Sequence, residues 1–276
     1  MRQKCVEISK CRIYDKVVLH LESGFVVRLG QARFPRKIPC ERCPLGKIEG
    51  FRKFSKDELE FVQSFKAGEL TAEAGTTILS EGSHTDHLFT VVSGWGFRHK
   101  LLENGRRQIL NLVLPGDMIG LQGSLNQEMG HSVEALSDMF LCVFERARLW
   151  DLFRSHPGLG YDVTWLASRE ERMLDEHLLS VGQRTAEQRA AYLILFIFAR
   201  AELRGMTNGR SIEVPLTQRH FADALGLSLV HTNRVLNRLS RRNAINWQNH
   251  TLKIDPKKLS EIAEWEPDPD AVRPYI

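Results

Sequence analysis

The chain has 276 residues, 42% of them hydrophobic, and a formal net charge of +4. That length suffices for two domains with cores of their own, and no run of about 18 apolar residues is present to cross a bilayer. The opening MRQKCVEISK lacks a signal-peptide core, so the expectation is a cytoplasmic protein with no membrane partner, whose five cysteines serve as thiols or ligands rather than disulfides.

In chain order, residues 1–39 read as an N-terminal extension with no assigned function and no clear element beyond a small hairpin suggested at Lys16–Val27. From Cys40, CERCPL leads into FSKDELEFVQSF. There Ser55 and Glu58 form a capping box, and Leu59, Phe61, Val62 and Phe65 mark the buried side of a helix. Between Gly75 and Glu145 short β runs alternate with turns, and glycines at 75, 82, 94, 96, 105, 116, 120 and 123 sit at the breaks. Residues 40–147 therefore predict a small double-sheet jelly roll with a leading helix.

From Arg148 the pattern turns helical. Pro157 and Gly158 separate a short helix from a long one ending near Val181, and residues 148–181 form one unit. Leu159, Val163, Leu166, Met173 and Val181 suggest a coiled-coil-like seam for dimerisation, interrupted by Glu170 and His177, with packing against the jelly roll as the plainer alternative. A helix over Thr185–Leu203, with a buried AAYLILFIFA stretch, leads through a loop at Met206–Gly209 into the next unit.

Residues 182–258 carry the pattern of a winged helix-turn-helix. Thr217 caps a first helix, with His220 where a capping-box glutamate would stand, and Ser228 caps a second; Gly226 supplies the positive φ of the turn. Ala244–Asp255 follows as a β-hairpin wing with its turn at Gln248-Asn249-His250. This unit holds thirteen Lys and Arg against five Asp and Glu, a local excess of eight positive charges suited to phosphate neutralisation. Residues 259–276 read as an acidic C-terminal tail.

The order of β-roll, long helix and winged helix-turn-helix, with the segments ILSEGS, LFTVVSG, ENGRRQIL, PGDMIG, VGQRTAEQRAAYLIL and ADALGLSLVHTNRVLNRL, resembles the Crp/Fnr family of bacterial transcription regulators over roughly Cys40–Trp265. The resemblance implies an α+β fold with a cyclic-nucleotide-binding-like roll. It also implies a homodimer that binds double-stranded DNA at a pseudo-palindromic site, works with RNA polymerase as an activator, and is not an enzyme. By position, Leu229, Val230, Asn233 and Arg234 fall at the base-reading end of the second helix. Arg234 is expected on a guanine, Asn233 on an adenine and Val230 on a thymine methyl, Val230 standing where many relatives carry glutamate. Thr217, Gln218, His231, Arg238 and Arg241 are placed for phosphates.

Two branches of the family bear on the roll. The cyclic-nucleotide branch holds its ligand with a Gly-Glu-Leu turn and an Arg-Ser pair; here Gln122-Gly123 and His131-Ser132 stand nearby, so cyclic AMP is not expected to bind tightly. The oxygen-sensing branch holds an iron-sulfur cluster on four cysteines. Cys40, Cys43 and Cys142 match part of that set, while the remaining position reads KIEGF, so the set is incomplete unless Cys5, Cys11 or a carboxylate such as Glu49 completes it. A metalloenzyme reading of His84, His87, His99 and His131 lacks ligand spacing. The main alternative function is a ligand-binding or interaction module that no longer reads DNA.

Overall fold

The computed structural model describes residues 38–126, 128–268 and 272–276. The hairpin expected at Lys16–Val27 and the thiols of Cys5 and Cys11 lie outside them. Two short 3-10 turns, Cys40–Arg42 and Pro44–Lys47, precede helix α1 (Lys56–Phe65). The Ser55–Glu58 capping box forms on both sides, with Glu58 N donating to Ser55 Oγ at 3.2 Å and Ser55 N to Glu58 Oε2 at 2.8 Å.

Eight antiparallel strands build the roll. They are β1 (Lys66–Ala72), β2 (Thr77–Leu79), β3 (His87–Ser93), β4 (Gly96–Leu101), β5 (Arg107–Val113), β6 (Met118–Ile119), β7 (Ser132–Ala135) and β8 (Met139–Glu145), with helix α2 (Leu121–Asn126) between β6 and β7. They form two four-stranded sheets, β1-β8-β3-β6 and β2-β7-β4-β5, around an interior that includes Leu70, Phe89, Val91, Val133 and Leu141. In the turn between β5 and β6, Gly116 has φ 84°, and a Cβ there would meet the Phe51 ring at 2.5 Å. Glycine is required at that point both for its backbone and for the approach of the leading segment.

Helices α3 (Leu149–Ser155), α4 (Pro157–Gln183) and α5 (Ala186–Glu202) follow, with Pro157 in the first turn of α4 as its fixed φ favours. Four of the five residues expected to make a dimer seam are buried within the chain. Leu159 and Val163 are buried with α1 and α3, Leu166 is buried, and Met173 packs into the core shared with α5; Val181 is exposed. That shared core runs from Phe97, Ile109 and Leu112 of the roll through Ile194 and Phe198 of α5 to Phe221 and Leu239, so roll and DNA module are continuous. Among the described residues no helix is long and apolar enough to cross a membrane.

The C-terminal module contains β9 (Thr207–Asn208), β10 (Ser211–Glu213), α6 (Gln218–Leu225), α7 (Leu229–Arg241), β11 (Ile245–Gln248), β12 (Thr251–Ile254) and α8 (Pro256–Ala263), with one sheet ordered β11-β12-β10-β9. Two features differ from the sequence expectation. The loop expected at Met206–Gly209 begins a hairpin, because β10 pairs β9 on one edge and the wing strand β12 on the other. Helix α8 crosses the boundary drawn after Lys258, since Leu259 and Ala263 fill the core against α5.

The last residues of the acidic tail pack against the leading segment. Residues 272–276 return to the roll, where Arg273 N donates to Gly50 O at 2.9 Å and Arg52 N to Arg273 O at 2.8 Å. Tyr275 packs on Phe51 and Phe54, with ring centroids 5.4 and 4.7 Å apart.

Candidate nucleic-acid interface

Two caps and one turn set the helix pair. Thr217 Oγ1 accepts from His220 N at 3.3 Å, and His220 Nδ1 accepts from Thr217 N at 3.1 Å, so histidine completes the box that glutamate usually closes. Gly226 ends α6 in the left-handed conformation at φ 66°, and Ser228 Oγ then accepts from His231 N at 3.2 Å to start α7. Val235, Leu236 and Leu239 turn inward, which by helical spacing leaves Leu229, Val230, Asn233, Arg234 and Asn237 on the outer side.

Val230 is 62% exposed and Leu229 40%, which leaves both available for contact at the start of α7. Arg234 and Arg241 are exposed, and among the described residues neither has an ion-pair partner. Asn233 is half-buried with its Oδ1 unpartnered. Thr217, Gln218 and His231 lie exposed at the two helix starts. Arg238 differs: it is tied to Glu187 of α5 at 3.1 Å, beside Arg242 at 2.8 Å. Against the upward push of burial, hydrogen bonds from Arg242 and Arg238 hold the Glu187 carboxyl below its ordinary value. Asn237 escaped the sequence reading, although it follows Asn233 and Arg234 by one turn; exposed Lys253 on the wing strand escaped it too.

The module is held against the roll through α6. Arg107 Nε donates to Asp223 Oδ2 at 2.9 Å, Gln108 Nε2 to Ala224 O at 3.0 Å, and the Phe97 and His220 rings lie 5.6 Å apart.

A cavity of about 410 Å³ lies between the roll and α4 and is bordered by Ile119, Gln122, His131, Leu166, Glu170 and Arg98. Arg98, on β4, brings in a guanidinium that an Arg-Ser pattern does not disclose, because β4 is remote in sequence from His131. It is already engaged: Nε donates to His131 Nε2 at 3.0 Å and Nη1 to Glu170. Burial, reinforced by the charge of Arg98, pulls His131 down to about 3, so its ring is a neutral acceptor.

Cys40 opens the first 3-10 turn, Cys43 links the two turns and Cys142 lies on β8, all three free. Burial pushes all three thiols up, Cys142 to about 12, although Lys66 opposes this at each. As free thiols they hold their protons, which a metal would have to displace on binding. Among the described residues no group of three or more His, Cys, Asp or Glu side chains is placed to hold a metal ion. The described residues do not fit an iron-sulfur cluster, nor do His84, His87, His99 and His131 gather into a metal centre.

Comparison with known proteins places two profiles on the chain. The cyclic nucleotide-binding domain matches residues 69–156, and the Crp-like helix-turn-helix domain matches residues 188–262. The chain is similar to the transcriptional activator protein FnrL of Cereibacter sphaeroides, at 26% identity over 90% of this chain and 96% of the relative. It is also similar to a probable transcriptional activator of Rhizobium leguminosarum bv. viciae, at 30% identity over 69% and 79%. In fold it matches the structure of FixK2 from Bradyrhizobium japonicum, with a TM-score of 0.64, 24% identity, and coverage of 70% of this chain and 96% of that one.

Proposed function

The chain belongs to the Crp/Fnr family of transcription regulators, and we propose that it reads a pseudo-palindromic DNA site as a cytoplasmic homodimer and activates transcription there through RNA polymerase. The observation that carries this reading is the start of α7. Leu229, Val230 and Arg234 stand exposed on a capped helix, and Arg234 has no internal partner among the described residues. Arg234 grips a guanine through O6 and N7, Asn233 pairs with an adenine, and Val230 and Leu229 meet apolar base edges. Thr217, Gln218, His231 and Arg241 take phosphates, and Arg238 joins them on leaving Glu187.

Cyclic AMP is not the signal in this reading, because Arg98, the guanidinium that faces the roll cavity from β4, is committed to Glu170 and His131. The test is selection from random duplex DNA by the full chain, followed by footprinting. The expected result is a two-fold site whose half-sites lie about one helical turn apart. No enrichment would mean that the module has lost specific reading and serves ligand binding or protein interaction instead.

A further inference from the structure

Among the described residues, the junction of α4, α5, the β5–β6 turn and the C-terminal segment gathers more guanidiniums than carboxylates. A cavity of about 230 Å³ is lined by Trp165, Arg169, Arg172, Arg200, Arg204 and Arg273, together with Asp268. Behind it, Asp117 accepts from Arg200 at 2.6 Å, Arg204 at 2.9 Å and Arg273 at 2.5 Å. The other acceptors of Arg200 and Arg204 are neutral: Asn111 Oδ1, Leu112 O, Pro115 O and Arg200 O. Arg169 and Arg172 share Asp268, at 3.2 and 2.7 Å. Among the described residues, five guanidiniums thus meet two carboxylates in direct ion pairs, with Glu170 acting on Arg273 from the adjoining cavity.

Buried charge without a counterpart is expensive. Burial, with Arg273 and Arg200 alongside, pulls Arg204 down to about 9 despite Asp117. Arg273, only 8% exposed, leaves its Nε without a partner while lining the cavity. Arg273 also borders the roll cavity, but the other four arginines do not. None of the five lies on α7.

We propose that this cavity binds a compact oxyanion carrying two or more negative charges, a phosphate- or polycarboxylate-bearing small molecule, held by Arg169, Arg172 and Arg273. Asp268 is its internal stand-in, a carboxylate placed on the two arginines that the ligand takes over. The volume lies below the roughly 300–1,000 Å³ of sites for drug-sized ligands, which favours a small anion over a nucleotide. Because Asp268 and Arg273 both follow α8, an arriving anion exchanges one tether of the C-terminal segment for another.

The experiment is calorimetric titration of the full chain with pyrophosphate and, separately, with citrate, at ionic strength fixed with chloride. Saturable binding of one or both at a single site is expected, and which anion binds separates a phosphate from a carboxylate ligand. R169Q/R172Q should weaken it by at least about tenfold, the loss of two charge-assisted hydrogen bonds. D268N should tighten it severalfold, a gain that misfolding cannot produce. Absence of saturable binding to either anion, or an affinity unchanged in R169Q/R172Q, would overturn the proposal.

Discussion

Arg107 of the roll and Asp223 of α6 meet at 2.9 Å across the boundary between sensor and DNA module, with side chains 22% and 11% exposed. Arg107 also lies 4.8 Å above the Phe97 ring and 3.6 Å from Glu134, so the roll fixes it before the module arrives. Among the described residues, the pair is a charged link between β5 and the reading module. We expect a double-mutant cycle of R107Q and D223N, read by denaturant unfolding, to give a coupling of about 1–2 kcal/mol. A coupling near zero would assign the docking to apolar contact alone.

What the sequence disclosed and what it hid divide by range. Caps at Ser55, Thr217 and Ser228, the Gly226 turn and the outward side of α7 were legible because each depends on residues within one or two turns. The return of Tyr275 to Phe51 was not, since an acidic stretch says nothing of the distant groove that accepts its end. Arg98 was hidden for the same reason: strand pairing, not sequence proximity, sets it beside His131. On α4 the apolar spacing suggests a partner's seam, yet the chain's own α1, α3 and α5 claim Leu159, Val163 and Met173 and leave Val181 exposed. The thiols followed the family pattern in sequence, but burial keeps them protonated.

Buried His131 and half-buried His177 should make stability fall in mild acid. Burial, with Arg98 beside one and Arg200 beside the other, holds His131 at about 3 and His177 at about 4, and His177 Nδ1 is 2.8 Å from Tyr192 Oη. Both folded values lie below the roughly 6.5 of an unfolded histidine, so the stabilisation is present above that pH and is lost as pH falls toward the folded values. Denaturant midpoints of the wild type should drop between about pH 7 and pH 4, and those of an H131Q/H177Q variant should drop less. Ring resonances of either residue titrating near 6.5 would contradict the assignment.

At the reading face, Arg234→Ala should cost about 1–3 kcal/mol on the selected site and relax preference at one base pair. Gel-shift titration against the selected site and against variants of its contacted base measures both. An equal loss on specific and random DNA would move Arg234 from base reading to phosphate contact. Val230→Glu tests the neighbouring position: a carboxylate there should turn preference toward a cytosine N4 donor.

The outer side of α4 is where a second copy should sit. With Leu159, Val163 and Met173 consumed inside the chain, the free residues are Ala167, Glu171, Leu174, Leu178 and Val181, alternating at four and three residues, the spacing of a two-stranded seam. Leu178 is 73% exposed and Val181 41%, and both line a cavity of about 430 Å³ closed on its other sides by β5, α5 and α6. Leu178→Glu adds charge to that surface without touching the buried core, so thermal unfolding of the isolated chain should change little. Light scattering should show dimeric wild type and monomeric variant at micromolar concentration. Affinity for the two-fold DNA site should fall on the order of a hundredfold or more, because the two half-sites are then bound independently. A variant that stays dimeric would place the interface elsewhere, and a wild type that is monomeric would remove the two-fold reading altogether.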